Sequence, residues 1–92
     1  MTRKPVVVTT IHKGVFFGYL VDRTDTTVRL ERARNCLYWS KEVKGFLGLA
    51  YTGPNSACRI GPPATIELMN VTCIADASNA AVVAWEKAPW SN

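Results

Sequence analysis

Residues 29–39 read RLERARNCLYW, and the way this stretch folds decides the architecture. On a helix, Leu30, Ala33 and Leu37 would form an apolar stripe with Arg29 and Arg32 behind it, and Leu, Glu, Arg and Ala all favour that state. On a strand, Val28 and Leu30 turn inward while Arg29 and Glu31 turn out. Strict alternation then drives Arg32 and Arg34 into the core, where two unpaired guanidinium groups are too costly to hold. An uninterrupted strand through residue 34 is thereby excluded. The expectation is a strand ending near Glu31, a bulge or turn over 32–35, and a second extended run from Cys36 to Trp39. That course leaves Arg32 and Arg34 in solvent near Tyr38 or Trp39.

The flanking segments favour strands. PVVVTTI (5–11) and KGVFFGYLVD (13–22) are rich in β-branched and aromatic residues, which suit a pleated surface. Together with TTVRLER (26–32) the second run reads as a hairpin around DRTD (22–25). Phe16, Gly18 and Leu20 share one face of it, and Val15, Phe17, Tyr19 and Val21 the other. Apolar side chains on both faces mark a central strand, and Gly18 in its middle marks a bend or a close backbone approach.

Residues 40–64 hold four of the six glycines and three of the five prolines. They read as an irregular excursion with one short strand at Phe46–Tyr51. Strand character returns over 65–76, where Ile66, Leu68, Asn70, Thr72 and Ile74 alternate with Glu67, Met69, Val71, Cys73 and Ala75. The period changes over 77–88: Ala81, Trp85 and Ala88 lie on one helical stripe, Ser78 is placed to cap it, and Pro89 ends it. The expected fold is α+β, a small bent antiparallel sheet of four to five strands with one C-terminal helix, in a single domain over 1–92.

Composition bounds the function. Ninety-two residues, 48% hydrophobic and 20% charged, describe one globular domain of modest core. No apolar run approaches membrane-spanning length, and the N-terminus is too polar after position 8 for a secretory signal, so a cytosolic protein is expected. Cys36, Cys58 and Cys73 form no C-x-x-C pair and have only His12 to join them, so they read as small buried hydrophobes and no metal is expected. Residues 1–59 carry ten basic against four acidic residues, and 60–92 one against three. A basic front and a mildly acidic back point to an anion-attracting face. Arg29, Arg32, Arg34, Lys41, Lys44 and Arg59, with Tyr38, are the candidate residues, because guanidinium groups fork phosphate oxygens and rings stack on bases. The competing reading is a solvated face of weak Arg–Glu pairs, with the rings packed in the core. No nucleophile–base pair, phosphate loop or cofactor motif stands out, and an enzyme is not expected.

HKGVFFGYL, RARNCLYWS, GLAYTGP, CRIGP and the closing WEKAPW together resemble small proteins of phages and prophages of proteobacteria. Within that group the chain resembles the phage-encoded anti-CRISPR inhibitors of the type I-F system. The resemblance implies stoichiometric binding to proteins of the RNA-guided surveillance complex in the host bacterial cytoplasm, with guide RNA as a second contact. No cofactor and no small-molecule substrate enter. A basic inhibitor would hinder guide–target pairing, the step that carries sequence recognition. GVFFGYLVDRTDTTVRL also resembles the first motif of Sm-like proteins, ring-forming RNA binders built on a small bent sheet. Here Gly14 and Gly18 are four apart, where that motif usually has five, and the excursion at 40–64 is foreign to it.

Overall fold

The computed structural model describes residues 3–11, 14–38, 45–55 and 58–88. Six strands and two helices follow one another as β1 (Lys4–Thr10), β2 (Val15–Arg23), β3 (Val28–Tyr38), α1 (Gly45–Tyr51), β4 (Arg59–Ile60), β5 (Ala64–Leu68), β6 (Val71–Asp76) and α2 (Asn79–Lys87). All strand pairs are antiparallel. β1 lies between β2 and β6, β2 between β1 and β3, and the far side of β3 pairs with β5 along its first half and with β4 along its second.

This topology forces the sheet to curl. β5 and β6 sit at opposite edges, beside β3 and β1, yet only Met69 and Asn70 separate them in the chain. Three Cα steps span at most about 11 Å, so the two edges must be brought round to face one another. The link is pinned where it closes: Val71 N donates to Thr26 O and Ile11 N to Asn70 O, both at 3.0 Å. Asn70 has φ 58°, a left-handed conformation that asparagine tolerates better than most residues.

The concave side of the curl encloses Val6, Val8, Val28, Leu30 and Ala33, with Phe16, Leu20, Ile66, Leu68, Val71 and Ile74 around them. The convex side of β1–β3 carries Val7, Val15, Phe17 and Cys36, covered by Leu49 and Ala50 of α1, Ile60 of β4, and Ala81 and Trp85 of α2. Burial on both faces explains why β2 shows no polar alternation. Gly18 belongs to the inner face, where an added Cβ would stand 2.8 Å from the Leu30 Cβ. Close approach of two backbones inside the curl requires glycine there.

The helices lock end to end. Ser78 caps α2, its Oγ accepting from Ala81 N at 3.1 Å, and the same hydroxyl donates to Tyr51 O. The last four carbonyls of a helix have no partner within it, and α1 ends at Gly48–Tyr51. Thr52 N donates to Gly48 O at 2.8 Å, Trp85 Nε1 to Leu49 O at 3.0 Å, Ser78 N to Ala50 O at 2.9 Å, and the Ser78 hydroxyl to Tyr51 O. Every orphan carbonyl of α1 is thus answered, three of them from α2 or its cap.

Several expectations are corrected here. Residues 46–51 form a helix and not a strand: Phe46, Leu49 and Ala50 recur at helical spacing and face the core, while Leu47 and Tyr51 are exposed. Residues 65–76 are two strands parted at Met69 and the left-handed Asn70, after which Val71 joins Ile66 and Leu68 inside; a bulge in the pairing with β1 between Val71 and Cys73 then brings Ile74 inside as well. The described residues form six strands and two helices in place of four or five and one. The α+β class and the C-terminal helix are as expected. Cys36 is buried, whereas Cys58 is half-buried and Cys73 exposed. Among the described residues no helix is long and apolar enough to cross a membrane.

Candidate functional site: a two-arginine cleft on β3

β3 runs unbroken from Val28 to Tyr38, and a bulge lets it do so. Glu31 pairs with Tyr19 and Arg34 with Phe17. Two steps along β2 therefore match three along β3. The other edge shows the same excess, with Leu30 opposite Ile66 and Ala33 opposite Ala64. The residue between is Arg32, at φ 49°. A left-handed arginine costs about 1–2 kcal/mol, and the extra residue switches the faces: Val28, Leu30 and Ala33 all point inward.

Arg34 consequently lands on the convex face beneath α2. It is 5% exposed. Its Nε donates to Gly61 O at 2.6 Å, Nη1 to Trp85 O at 3.0 Å and Nη2 to Ala88 O at 2.8 Å. Trp85 and Ala88 supply carbonyls at the end of α2, where a cation complements the helix dipole. Burial pushes the Arg34 pKa down, but a guanidinium starts so high that it stays charged. The expectation of a solvated Arg34 is thus overturned. Its premise was that a buried arginine would be unpaired, and three carbonyls pair it.

Arg32 does face solvent, as expected, with a side chain 68% exposed. Its guanidinium lies 4.3 Å from the centre of the Tyr19 ring and 3.6 Å from the Glu86 carboxylate. Glu86 also accepts a hydrogen bond from the Tyr19 hydroxyl. Burial, then the hydrogen bond to Glu86 and its negative charge, push the Tyr19 pKa up to about 12, and the charge of Arg32 opposes them. Behind this trio the Phe17 ring stands edge-on to Tyr19 and flat against Trp85, with centroids 5.4 and 5.3 Å away. Phe17, Arg32, Arg34, Glu86 and Pro63 line a cleft of about 240 Å³.

The other candidate residues do not converge on it. Arg29 is answered across the sheet by Glu67 at 3.7 Å and lines a separate groove with Asp22, Arg23, Thr24, Thr27 and Glu67. Arg59 is exposed on β4, paired through its backbone with Tyr38 at the end of β3. The Tyr38 ring, Trp39, Lys41, Lys44 and His12 lie outside the described residues. Arg3 pairs with Glu31 at 2.8 Å and Lys4 with Asp76 at 2.9 Å. A continuous cationic stripe is therefore not what the described residues form: carboxylates stand beside Arg3, Arg29 and Arg32, and Arg34 is internal. Tyr19, Pro63 and Glu86 were not among the sequence candidates. Only the shared face of Phe17 and Tyr19 on β2 hinted at one of them. Among the described residues no cluster of three His, Cys, Asp or Glu side chains could hold a metal.

The chain matches no curated protein and no solved structure. A family profile described as a domain of unknown function, DUF6948, matches residues 3–85. That match takes in all six strands and α2 as far as Trp85, the residue that seats both Phe17 and α1, and so the chain belongs to the DUF6948 family.

Proposed function

We propose that this protein acts by binding a protein partner and not by catalysis, through the face that carries the Arg32–Tyr19–Glu86 cleft. One observation carries this reading. Arg34 is already held within the fold by three carbonyls, while Arg32, with Glu86 at 3.6 Å, reaches solvent on an aromatic support in a strained backbone conformation. Phosphate-tracking proteins need several unpaired cations along a groove, and carboxylates interrupt such a track here. Arginine and tyrosine are enriched in protein–protein hot spots, and Arg32 over the Tyr19 ring is such a pair.

The specific target we propose is the type I-F surveillance complex, as an anti-CRISPR inhibitor that keeps target DNA from being recognised. The support is the sequence resemblance together with the small size and basic balance of the chain. The neutralised arginines shift the expected contact from guide RNA toward protein subunits. The test is capture of the assembled surveillance complex by tagged protein, with and without nuclease, followed by target-DNA binding by the captured complex. Nuclease-resistant capture with loss of DNA binding supports the reading. Absence of capture removes the target, and capture abolished by nuclease removes the protein contact.

A second reading is favoured by a different observation. Among the described residues β5 pairs only with β3 and β6 only with β1, so each strand has an edge that a second copy could extend. This suits a ring of Sm-like type that binds RNA. A hexamer or heptamer on a sizing column supports the ring, and a monomer at high micromolar concentration removes it.

A further inference from the structure

We infer that the cleft beside Arg32 is a receptor for a single acidic side chain, the carboxylate of a partner's glutamate or aspartate. The inference rests on the protein-binding reading above and names what that face recognises.

Size comes first. A volume of about 240 Å³ falls below the usual range for small-molecule pockets of roughly 300–1,000 Å³, and suits one side chain. Charge comes second. Two guanidinium groups and one carboxylate leave the lining with a single positive charge, which matches a carboxylate. A phosphate dianion would exceed that single charge and leave an uncompensated negative charge beside Glu86.

Geometry comes third. The contact from Arg32 to Glu86, at 3.6 Å, is too long for a hydrogen bond, so the in-plane donors of Arg32 are not spent on it. The Tyr19 ring supports the guanidinium at 4.3 Å, and stacking of this kind leaves the fork of N–H groups at its rim open to a bidentate carboxylate. The Glu86 oxygen nearest Arg32 is the one that accepts from the Tyr19 hydroxyl, so part of its capacity is already used. Phe17 and Pro63 offer apolar walls for the methylene groups of the incoming side chain. The backbone adds a further sign. Glycine suits φ 49° far better than arginine does, so the bulge alone does not account for a guanidinium at this position.

The test uses the full chain, labelled at its backbone and arginine side-chain nitrogens, titrated with N-acetyl-glutamate α-amide while the Arg32 and Arg34 Nε–H signals are followed. N-acetyl-glutamine α-amide and inorganic phosphate serve as competing probes. The expected result is a saturable shift at Arg32 in the millimolar range, with the glutamine compound weaker by about tenfold, as loss of one charge-assisted pair implies. Both variants at position 32 lack the Arg32 signal, so they are read at the Arg34 Nε–H and at the backbone amides of Tyr19 and Glu86: there Arg32→Gly, which suits the bulge, should abolish the response, and Arg32→Lys should weaken it by removing the fork. Equal response to the glutamine probe, tighter binding of phosphate than of the glutamate probe, or an unchanged response in Arg32→Gly would each overturn the inference. Capture of a protein partner by Arg32→Gly as efficiently as by the natural chain would overturn it too, while leaving the protein-binding reading in place. A positive titration without any captured partner would do the reverse.

Discussion

Arg34 donates from Nη1 to the main-chain carbonyl of Trp85 at 3.0 Å, tying the third strand to the end of the last helix across 51 positions of sequence. The indole of that tryptophan donates in turn to Leu49 O at the end of α1. One arginine and one tryptophan thereby join a strand and two helices.

Replacing Arg34 by Met leaves Gly61 O, Trp85 O and Ala88 O without their side-chain donor. Charged hydrogen bonds contribute roughly 1.5–3 kcal/mol each and are not additive, so a total loss of about 3 kcal/mol or more is expected. Arg34→Lys should recover little of it, because an ammonium cannot reproduce three divergent donors in one plane. Urea denaturation of both variants checks this. A midpoint near that of the natural chain for either would contradict the clamp. Arg34→Glu is expected to unfold the protein, so it cannot serve as a probe of surface binding.

At position 32 the backbone can be separated from the side chain. Arg32→Ala removes the guanidinium but keeps the penalty of φ 49°, whereas Arg32→Gly removes both. The glycine variant should be more stable than the alanine variant by about 1 kcal/mol. Thermal melts of the pair at equal concentration decide it, and an alanine variant as stable as glycine would show that the bulge is unstrained.

Ser78→Ala removes the α2 cap and the hydroxyl that donates to Tyr51 O. Loss of a serine cap costs about 1 kcal/mol, and the second bond raises the expected destabilisation toward roughly 2 kcal/mol. Amide hydrogen exchange should show faster opening at the α2 N-terminus and at the end of α1 together. Faster exchange at α2 alone would indicate that the two helix ends are not joined in this way.

Tyr19 provides a pH signature. Its pKa rises from 10.0 to about 12, chiefly through burial and then through the Glu86 hydrogen bond and charge. The fold favours the neutral phenol. Stability from this group is therefore complete below pH 10, where the unfolded chain also holds its proton, and is lost as pH climbs through 12. Tyrosinate absorbance should show a late-titrating phenol that Tyr19→Phe removes. Glu86→Gln should lower its pKa only in part, because burial remains. A Tyr19 that ionises at its ordinary value would place the ring in open water.

Much of the fold was legible because it depends on neighbours in the chain. The strand character of β1 and β2, apolar faces on both sides of β2, the close approach at Gly18, a bulge near residue 32, and α2 with its Ser78 cap all follow from side-chain period, branching and capping chemistry. α1 was not legible: seven residues with glycines at 45 and 48 have little helical tendency alone, and the helix is held by packing and by donors from Thr52, Ser78 and Trp85. The break at Asn70 was equally hidden, since only the curl of the sheet obliges the chain to turn there.

The arginines divide the same way. Alternation by itself determined that β3 could not run through Arg32 and Arg34 unaltered, because burial of a bare charge is too costly. Only the tertiary structure decided that a single left-handed residue would absorb the conflict, sending Arg32 out over Tyr19 and Arg34 under α2. The physical reason is that an arginine's place depends on its acceptors. Gly61, Trp85, Glu86 and Ala88 come from 27 to 54 positions further along the chain, at a distance where no local pattern can announce them.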